Sequence, residues 1–329
     1  MKRIGILLLS FCLVVIFNPE HAFAKNSERE IIIGSFNIAN LGDTNEYERS
    51  LITLVNIIRK MNADLLCIQE VSIKETGKEQ VKRLVELLNM ASAYYGSKPY
   101  DFAISEEYTG DETTAFIWRD PVTIQSEITL LDHEIDPDHD GKPTFQRVPS
   151  LALFSVDDFD FHIVNCHFYT KIIGASSEGR EDEFKAVVKW LLEAEQQQEI
   201  GAVIVGDFNR FLNGKKPWKQ FMITNYQLYY RFPILEAIQQ EVPDFDPGKD
   251  EAPSDKFSTT TAKLLSIYDQ IIVSKKLFDN VNAPPKFGTD IGIIDFDNDK
   301  RFEWFIYKWH NAIKMLSDHR PVWMKLLVK

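Results

Sequence analysis

The sequence predicts one α/β domain. Short apolar runs with the length of buried strands alternate with amphipathic stretches whose apolar residues recur at helical spacing. No repeat of solenoid length and no Pro/Ser/Gly-rich linker divides the 329 residues, which suffice to bury a substantial core. Two smaller domains remain the alternative to one large domain.

Residues 1–24 have the features of a secretory signal peptide. Lys2 and Arg3 precede the apolar run 4–17, and Ala22-Phe23-Ala24 fits a cleavage site. The apolar run is shorter than the roughly 20 residues that a membrane span needs. We therefore expect an exported mature chain, residues 25–329, that forms a single domain without a membrane span.

The chain is acidic, with a formal net charge of −12. This charge argues against nucleic-acid binding through a broad basic surface, but a local metal site can still attract phosphate. Outside the signal peptide the only cysteines are Cys67 and Cys166, each within an apolar run. Buried free thiols are the expected state, and a disulfide between them remains open in an exported protein.

Apolar runs bounded by polar or turn residues predict the strands. They cover residues 31–37, 64–71, 101–105, 114–118, 151–156, 161–166, 202–205, 266–273 and 322–328. Helices are expected over residues 46–61, capped by Asp43 or Thr44, around the face of Val81, Leu84, Val85 and Leu88, and over 181–198.

Two segments, 132–144 and 290–310, have the composition of insertions. The first contains Asp136, Asp138 and Asp140 before Gly141, as at the start of an EF-hand calcium loop. Position twelve of that loop would be Arg147 rather than a bidentate acid, so we interpret the segment as a solvated acidic loop. The aromatic residues of the second segment predict packing, with a partner surface as the alternative.

Polar side chains follow several of the predicted strands. Gly206-Asp207-Phe208-Asn209 ends the most apolar strand, although these residue types also form ordinary turns. Residues at the ends of packed strands meet at one edge of a domain, where sites commonly lie. The set comprises Asn37, Glu70, His167, Asp207, Asn209, Asp269, Ser317, Asp318 and His319.

These residue types suit one chemistry. Carboxylates such as Glu70 and Asp318 bind hard cations such as Mg²⁺. Histidines beside carboxylates act as acid and base near neutral pH. Asparagine and Arg147 can bind phosphate oxygens. Together they predict metal-assisted attack of water on a phosphodiester.

Six segments in order resemble the signature of the endonuclease/exonuclease/phosphatase superfamily. They are 35–37, 68–71, 165–167, 206–209, 268–274 and 317–322. The resemblance implies a catalytic domain over residues 25–329 with a four-layered α/β/β/α sandwich of two mostly antiparallel sheets. Segments 116–119, 145–149 and 258–261 are more specifically similar to secreted pancreatic-type (DNase I-like) deoxyribonucleases.

The resemblance also implies roles for the residues. Glu70 would be the principal ligand of Mg²⁺, assisted by Asn37 and Asp318, with Mn²⁺ as an alternative metal. His319 with Asp269 would activate water, and His167 with Glu112 would protonate the leaving oxygen, although these roles could be reversed. The residues around the scissile phosphate would be Asp207, Asn209 and Arg147.

The sequence departs from the pancreatic-type pattern at three positions, and the disulfide that those enzymes have near the segment 258–261 has no counterpart here. Ser72 stands where those enzymes have an arginine that enters the DNA minor groove, and Gly110 stands at a groove-contacting tyrosine, with Tyr108 two positions away. Ser258 replaces an aspartate that binds calcium there. Groove contact and structural Ca²⁺ are therefore in doubt.

The sequence predicts an exported, metal-dependent nuclease that hydrolyses DNA with little sequence specificity, as a monomer without a stable protein partner. The alternative within enzymes is a phosphodiesterase or phosphatase acting on a lipid or sugar phosphate, which the acidic charge favours. A non-catalytic binding protein on the same fold is the third reading.

Overall fold

Two β-sheets face each other in the computed structural model, which describes residues 28–43, 50–105, 111–131, 145–168, 178–198, 200–209, 230–241, 268–296 and 316–328. The first sheet contains β1 (Arg29–Leu41), β2 (Leu65–Ser72), β3 (Tyr100–Ile104), β4 (Glu112–Arg119), β12 (Ile291–Ile293) and β13 (Val322–Val328). Its strand order is β12-β13-β1-β2-β4-β3.

The second sheet contains β5 (Val122–Ile124), β6 (Thr129–Leu130), β7 (Ser150–Val156), β8 (Phe159–His167), β9 (Gly201–Asp207), β10 (Tyr230–Arg231) and β11 (Asp269–Ser274). Its order is β10-β11-β9-β8-β7-β5, and β6 also pairs with β7.

Each sheet contains one parallel pair among antiparallel neighbours. β1 pairs with β2 and β8 pairs with β9 in parallel, while the other described pairs are antiparallel. A parallel pair requires a crossover, and a helix lies between the two strands in both cases. Since parallel strands end at the same edge, residues that follow these four strands come close together.

Helices cover the outer face of each sheet. α1 (Leu51–Met61) and α2 (Glu75–Tyr95) pack on the first sheet. α3 (Glu178–Gln198) and α4 (Pro233–Glu241) pack on the second. The predicted four-layered sandwich is therefore confirmed.

The apolar core between the sheets follows from alternation along the strands. Phe116 and Trp118 of β4 lie on one face, and their rings approach Phe154 of β7 with centroid distances of 5.5 and 5.9 Å. Burying one such side chain contributes about 1.5–3 kcal/mol. The core thus fixes the two sheets face to face and holds their edges in register.

Several predicted boundaries differ from the structure. Ser50 is extended and α1 begins at Leu51, so the predicted start at residue 46 and the predicted cap, Asp43 or Thr44, are wrong. Asp43 instead pairs with Lys74 Nζ at 2.8 Å. Residues 291–293 form β12 at the edge of the first sheet, so the segment 290–310 is not wholly an insertion.

Other expectations concern burial and residues outside the described ranges. Cys67 and Cys166 are buried free thiols, as expected, and burial raises the pKa of both thiols well above the usual value. No described helix is long and apolar enough to cross a membrane. The signal peptide, the 132–144 loop, Tyr108, Gly110 and Ser258 lie outside the described residues.

Candidate active site

The predicted polar residues lie at one edge of the sandwich, where β1, β2, β8 and β9 end and β4, β11 and β13 begin. On β1, Ile31 and Ile33 face the core between the sheets, and Ser35 and Asn37 follow on the same face. The same alternation along β4, β8, β9 and β11 brings four more side chains to this edge of the space between the sheets, namely Glu112, His167, Asp207 and Asp269. Register places His167 opposite Asp207, and Asp207 opposite Asp269.

Glu70 reaches this space through a β-bulge. Three residue steps on β2, from Ile68 to Val71, match two steps on β4, from Ala115 to Thr113. Ile68 and Val71 both lie in the apolar core beneath the helices. Glu70 is the extra residue, and its left-handed backbone, with φ of 59°, turns the carboxylate away from that core.

The Glu70 carboxylate lies between an amide and an imidazole. Its Oε1 accepts a hydrogen bond from Asn37 Nδ2 at 2.8 Å and lies 3.5 Å from His167 Nε2. Burial raises the pKa of Glu70, and the nearby His167 only partly offsets this effect. Both contacts use Oε1, so Oε2 has no partner among the described residues.

His167 is paired with an acid from the opposite sheet. Its Nδ1 contacts Glu112 Oε1, and the same oxygen lies 2.7 Å from Arg147 Nε. Burial lowers the pKa of His167, but the hydrogen bond and charge of Glu112, together with the charges of Asp207 and Glu70, outweigh it and raise the pKa. The carboxylate fixes which ring nitrogen faces the site, namely Nε2.

His319 forms a second pair across the sheets. Its Nδ1 lies 2.9 Å from Asp269 Oδ2, and its backbone N–H donates to Ser317 Oγ. Ser317 Oγ in turn donates to the Asn37 carbonyl oxygen at 2.7 Å. Burial lowers the pKa of His319, but the charges of Asp269 and Asp207 outweigh it and raise the pKa well above its usual value.

Asp207 lies between the two pairs. Its Oδ2 is 3.5 Å from the Nε2 atoms of both His167 and His319, and it accepts a hydrogen bond from Asn37 Nδ2 at 3.1 Å. Gly206 precedes it with φ of 138°, and a Cβ there would lie 1.9 Å from the Cys166 carbonyl oxygen. Only glycine allows β8 and β9 to approach so closely at this point.

Asn209 is held on the wall of the site by hydrogen bonds. Its backbone N–H donates to Asp207 Oδ1 at 2.7 Å, and its Nδ2 donates to the Phe168 carbonyl oxygen at 2.9 Å. The Asn209 backbone is left-handed, with φ of 48°. Asn209 therefore caps the end of β9 and orients Asp207, in addition to its predicted role near phosphate.

Asp318 is the predicted site residue that stands apart. Its side chain is exposed, and no contact in the described part of the chain joins it to Glu70 or Asn37. Its charge contributes to the raised pKa of His319. Its role as a metal ligand therefore stays a prediction.

The remaining residues fit a divalent cation by their chemistry. Glu70, Glu112 and His167 have ligand atoms within 4.8 Å of one another, as do Asp207, Asp269 and His319. Four carboxylates thus converge beside two imidazoles, and carboxylate oxygens are preferred ligands of hard cations. Glu70, whose Oε1 accepts the hydrogen bond from Asn37 Nδ2, would be the principal residue to hold the cation. The role of Asn37 as an assisting ligand stays a prediction.

Sequence reasoning missed two residues that support the site. Gln69 and Asn165 are fully buried and hydrogen-bonded, yet they were not among the predicted site residues. The available signal was a polar residue inside an otherwise apolar buried strand. Ser72 is buried too and accepts a hydrogen bond from Lys74 N, so it offers no side chain to a nucleic-acid groove.

The sequence is similar to a known protein family. The model of the "Endonuclease/Exonuclease/phosphatase family" matches residues 34–278. The chain belongs to this family. Its members are divalent-metal-dependent hydrolases of phosphoesters, a class that fits the acid and histidine groups described above. Among curated proteins none is similar enough in sequence to match significantly.

Solved structures share the fold. An endonuclease/exonuclease/phosphatase family protein from Bacteroides thetaiotaomicron has a TM-score of 0.55 at 16% identity, over 92% of this chain and 99% of that one. D. rerio TDP2 complexed with single strand DNA product has a TM-score of 0.54 at 14% identity, over 90% of this chain and 98% of that one. The human Nocturnin catalytic domain with bound sulfate anion has a TM-score of 0.52 at 13% identity, over 92% of this chain and 98% of that one.

These likenesses to solved structures concern the fold, since all three identities are low. The predicted membership of the superfamily is confirmed by the family match. The closer resemblance to pancreatic-type deoxyribonucleases stays a prediction.

Proposed function

We propose that this family member is an exported nuclease that hydrolyses DNA phosphodiester bonds with little sequence specificity, using Mg²⁺. The observation that carries the hydrolytic part is the pair of carboxylate-bound histidines, His167 and His319, whose Nε2 atoms both lie 3.5 Å from Asp207 Oδ2. Two positioned imidazoles provide one group to take a proton from water and one to protonate the leaving oxygen.

The cation held at Glu70 would supply electrostatic stabilisation of the charge that develops on the phosphate. The protein residues would supply the proton transfers. His319, oriented by Asp269, takes a proton from water through Nε2, and His167, oriented by Glu112, donates one to the leaving oxygen. A protonated His319 cannot accept a proton from water, so the raised pKa of His319 must first fall. Neutralisation of the nearby Asp207 charge would lower the pKa of His319.

Arg147 supports the proposed binding of phosphate. Its Nε is bound to Glu112, whereas its buried Nη1 has no hydrogen-bond partner among the described residues. A buried guanidinium nitrogen without a partner is costly, and a phosphate oxygen would satisfy it. This placement brings the phosphate next to the His167–Glu112 pair, where the leaving oxygen must be protonated.

The choice of DNA rests on the sequence segments that resemble the pancreatic-type enzymes. Phosphate contacts carry little sequence information, so weak specificity is expected of a site built from Arg147, the histidines and a cation. The acidic charge and the buried Ser72 favour the alternative substrate, a lipid or sugar phosphate, because both reduce the expected attraction to duplex DNA.

Plasmid cleavage by residues 25–329 tests the proposal. We expect nicking with Mg²⁺, none with chelator, and none with the His167→Ala variant. Hydrolysis of bis-(p-nitrophenyl) phosphate without plasmid cleavage would reject DNA and direct attention to choline-phosphate lipids and inositol phosphates. Inertness towards every phosphoester would favour a non-catalytic binding protein.

Export and assembly state are separate parts of the proposal. If residues 1–24 are a signal peptide, mass spectrometry of the secreted protein should give an N-terminus at Lys25. Sedimentation at micromolar concentration should give a monomer. Retention of residues 1–24 on protein recovered from the membrane fraction would contradict export.

A further inference from the structure

A layer of polar side chains lies between the apolar core and the active site. It consists of Ser35, Gln69 and Asn165, all fully buried. Buried amides destabilise a fold unless their hydrogen bonds are satisfied, so each partner in this layer is informative. Replacement of a paired amide couple by apolar groups of similar shape can be nearly neutral for stability. Stability alone therefore does not explain why amides occupy these positions.

The two amides join the sheets directly. Gln69 Nε2, from the first sheet, donates to Asn165 Oδ1, from the second, at 2.6 Å. Asn165 Nδ2 donates back to the first sheet, to the carbonyl oxygens of Ile68 at 3.1 Å and Ala115 at 3.3 Å. Gln69 Nε2 also donates to Ser35 Oγ at 3.1 Å. We call Gln69 and Asn165 the amide clamp.

Each strand bound by the amide clamp carries a site residue. Gln69 directly precedes Glu70 on β2, and Asn165 lies on the same face of β8 as His167, two residues earlier. Ala115 is on β4, the strand that begins with Glu112. The clamp therefore fixes the positions of the cation-binding acid and of the His167–Glu112 pair, whose members belong to different sheets.

Gln69 lies at the point where regular strand geometry stops. The β2–β4 register shifts between Ile68 and Val71, and Glu70 has a left-handed backbone. A non-glycine residue in that conformation is strained and persists only where its surroundings enforce it. The hydrogen bonds of the Gln69 side chain to Asn165 and Ser35 hold the chain in place beside the bulge.

We propose that Gln69 and Asn165 are positioning residues for hydrolysis, because their cross-sheet hydrogen bonds set the placement of Glu70 relative to His167. The inference rests on the proposed hydrolytic function. Residues that orient the ligands of a metal site typically change activity or metal affinity by about 10–100-fold. The clamp acts through Glu70 and His167 and does not touch the phosphate.

The variants Asn165→Leu and Gln69→Met remove one amide each with little change of shape. Asn280→Leu is the matched control, since Asn280 is a buried amide that donates to the Leu327 carbonyl oxygen at 2.6 Å, at the opposite end of β13 from the site. With bis-(p-nitrophenyl) phosphate and Mg²⁺, we expect kcat per folded molecule to fall about 10–100-fold in the clamp variants, with KM changed less than about threefold. The control should keep its kcat.

The double variant separates positioning from stability. Removal of both amides should recover part of the lost Tm, because neither amide then lacks its partner. Positioning predicts that kcat nevertheless stays low. Recovery of kcat together with Tm, or single variants with unchanged kcat per folded molecule, would overturn the proposal. Should a single variant not fold, the double variant provides the same test.

A measurement on the metal-free protein is independent of activity. The Nδ1–H of His167 in its hydrogen bond to Glu112 should give a downfield proton resonance, which is assigned by its loss in His167→Asn. We expect Asn165→Leu to shift or broaden this resonance and Asn280→Leu to leave it unchanged. An unchanged resonance in Asn165→Leu would overturn the clamp, whereas a wild-type protein inert towards all phosphoesters would overturn the proposed function instead.

Discussion

The two sheets build their parts of the site from the same arrangement of strands but in different environments. In the first sheet, the parallel pair β1–β2 and its antiparallel neighbour β4 carry Asn37, Glu70 and Glu112. In the second, the parallel pair β8–β9 and its neighbour β11 carry His167, Asp207 and Asp269. Each group of three strands thus presents three polar residues at the shared edge.

The acids of the two groups differ in exposure. The side chains of Glu70 and Glu112 are 17% and 12% exposed, whereas Asp207 and Asp269 are each 1% exposed. Acids open to solvent allow a cation and its waters to exchange. Buried acids act more strongly on neighbouring imidazoles, because water screens their charge less. The first sheet is therefore suited to bind the cation, whereas the acids of the second sheet act most strongly on His319.

The histidines connect these environments. His167 of the second sheet pairs with Glu112 of the first, and His319, which precedes β13 of the first sheet, pairs with Asp269 of the second. The site is complete only when both sheets are in place. The following predictions test this division, beginning with the largest expected effect.

Replacement of the histidines should give the largest losses and should distinguish their roles. His319→Asn should lower kcat about 10²–10⁴-fold on both DNA and bis-(p-nitrophenyl) phosphate, because every substrate needs an activated water. His167→Asn should lose that much on DNA but clearly less on the nitrophenyl ester, whose leaving group needs no proton. The measurement is kcat of both variants on both substrates. The reverse pattern would show that His167 activates water and His319 protonates the leaving oxygen.

Removal of Glu70 should act through the cation. Glu70→Gln should lower activity about 10²-fold at fixed Mg²⁺ and abolish the rise in Tm that Mg²⁺ gives the wild type, since it removes the principal charged ligand. Asp318→Asn is the comparison variant, and its exposed side chain predicts a smaller effect. Equal losses in both variants would show that Asp318 shares the cation with Glu70.

Arg147 distinguishes the His167 pair from the His319 pair. Arg147→Lys should lower kcat about tenfold, because lysine cannot reproduce the fork that contacts Glu112 and a phosphate oxygen together. Arg147→Gln, which removes the positive charge beside Glu112, should raise the pKa of His167 and move the pH optimum upward. A pH–rate profile that keeps its optimum would contradict the link through Glu112.

The smallest expected effect is on stability in the absence of metal. The pKa values of His167 and His319 are raised in the folded protein, so their contribution is present below about pH 6.5 and is lost as pH rises through the raised values. The Tm of the metal-free protein should therefore fall by a few degrees as the pH increases above 6.5. His319→Gln should flatten the curve, and a Tm that rises with pH would contradict the assigned directions.

Sequence periodicity was sufficient for the layers and for the location of the site. Long apolar strands such as β9 and amphipathic helices such as α2 were predictable, because each buries a whole face. The two-residue strands β6 and β10 and the three-residue β5 and β12 were missed, since so few residues show no period. The start of α1 was misplaced because Asp43, a good capping residue, pairs with Lys74 instead.

The site was predictable as a set of residues but not as a geometry. Glu70 in a regular strand would point into the core beneath the helices, and nothing in its residue type indicates the bulge that turns it. The amide clamp was missed for a related reason, because its hydrogen bonds join residues 96 positions apart on different sheets. Only the packed sandwich brings Gln69 and Asn165 together.

Gly206 has a consequence for genetic screens of this protein. A Cβ at this position would collide with the Cys166 carbonyl oxygen, so every substitution there should misplace or unfold the strand end that carries Asp207. A screen scored by lost activity would recover Gly206 as often as His167, although glycine transfers no proton. Abundance of folded protein, scored alongside activity, would separate positions needed for the fold from positions needed for the reaction.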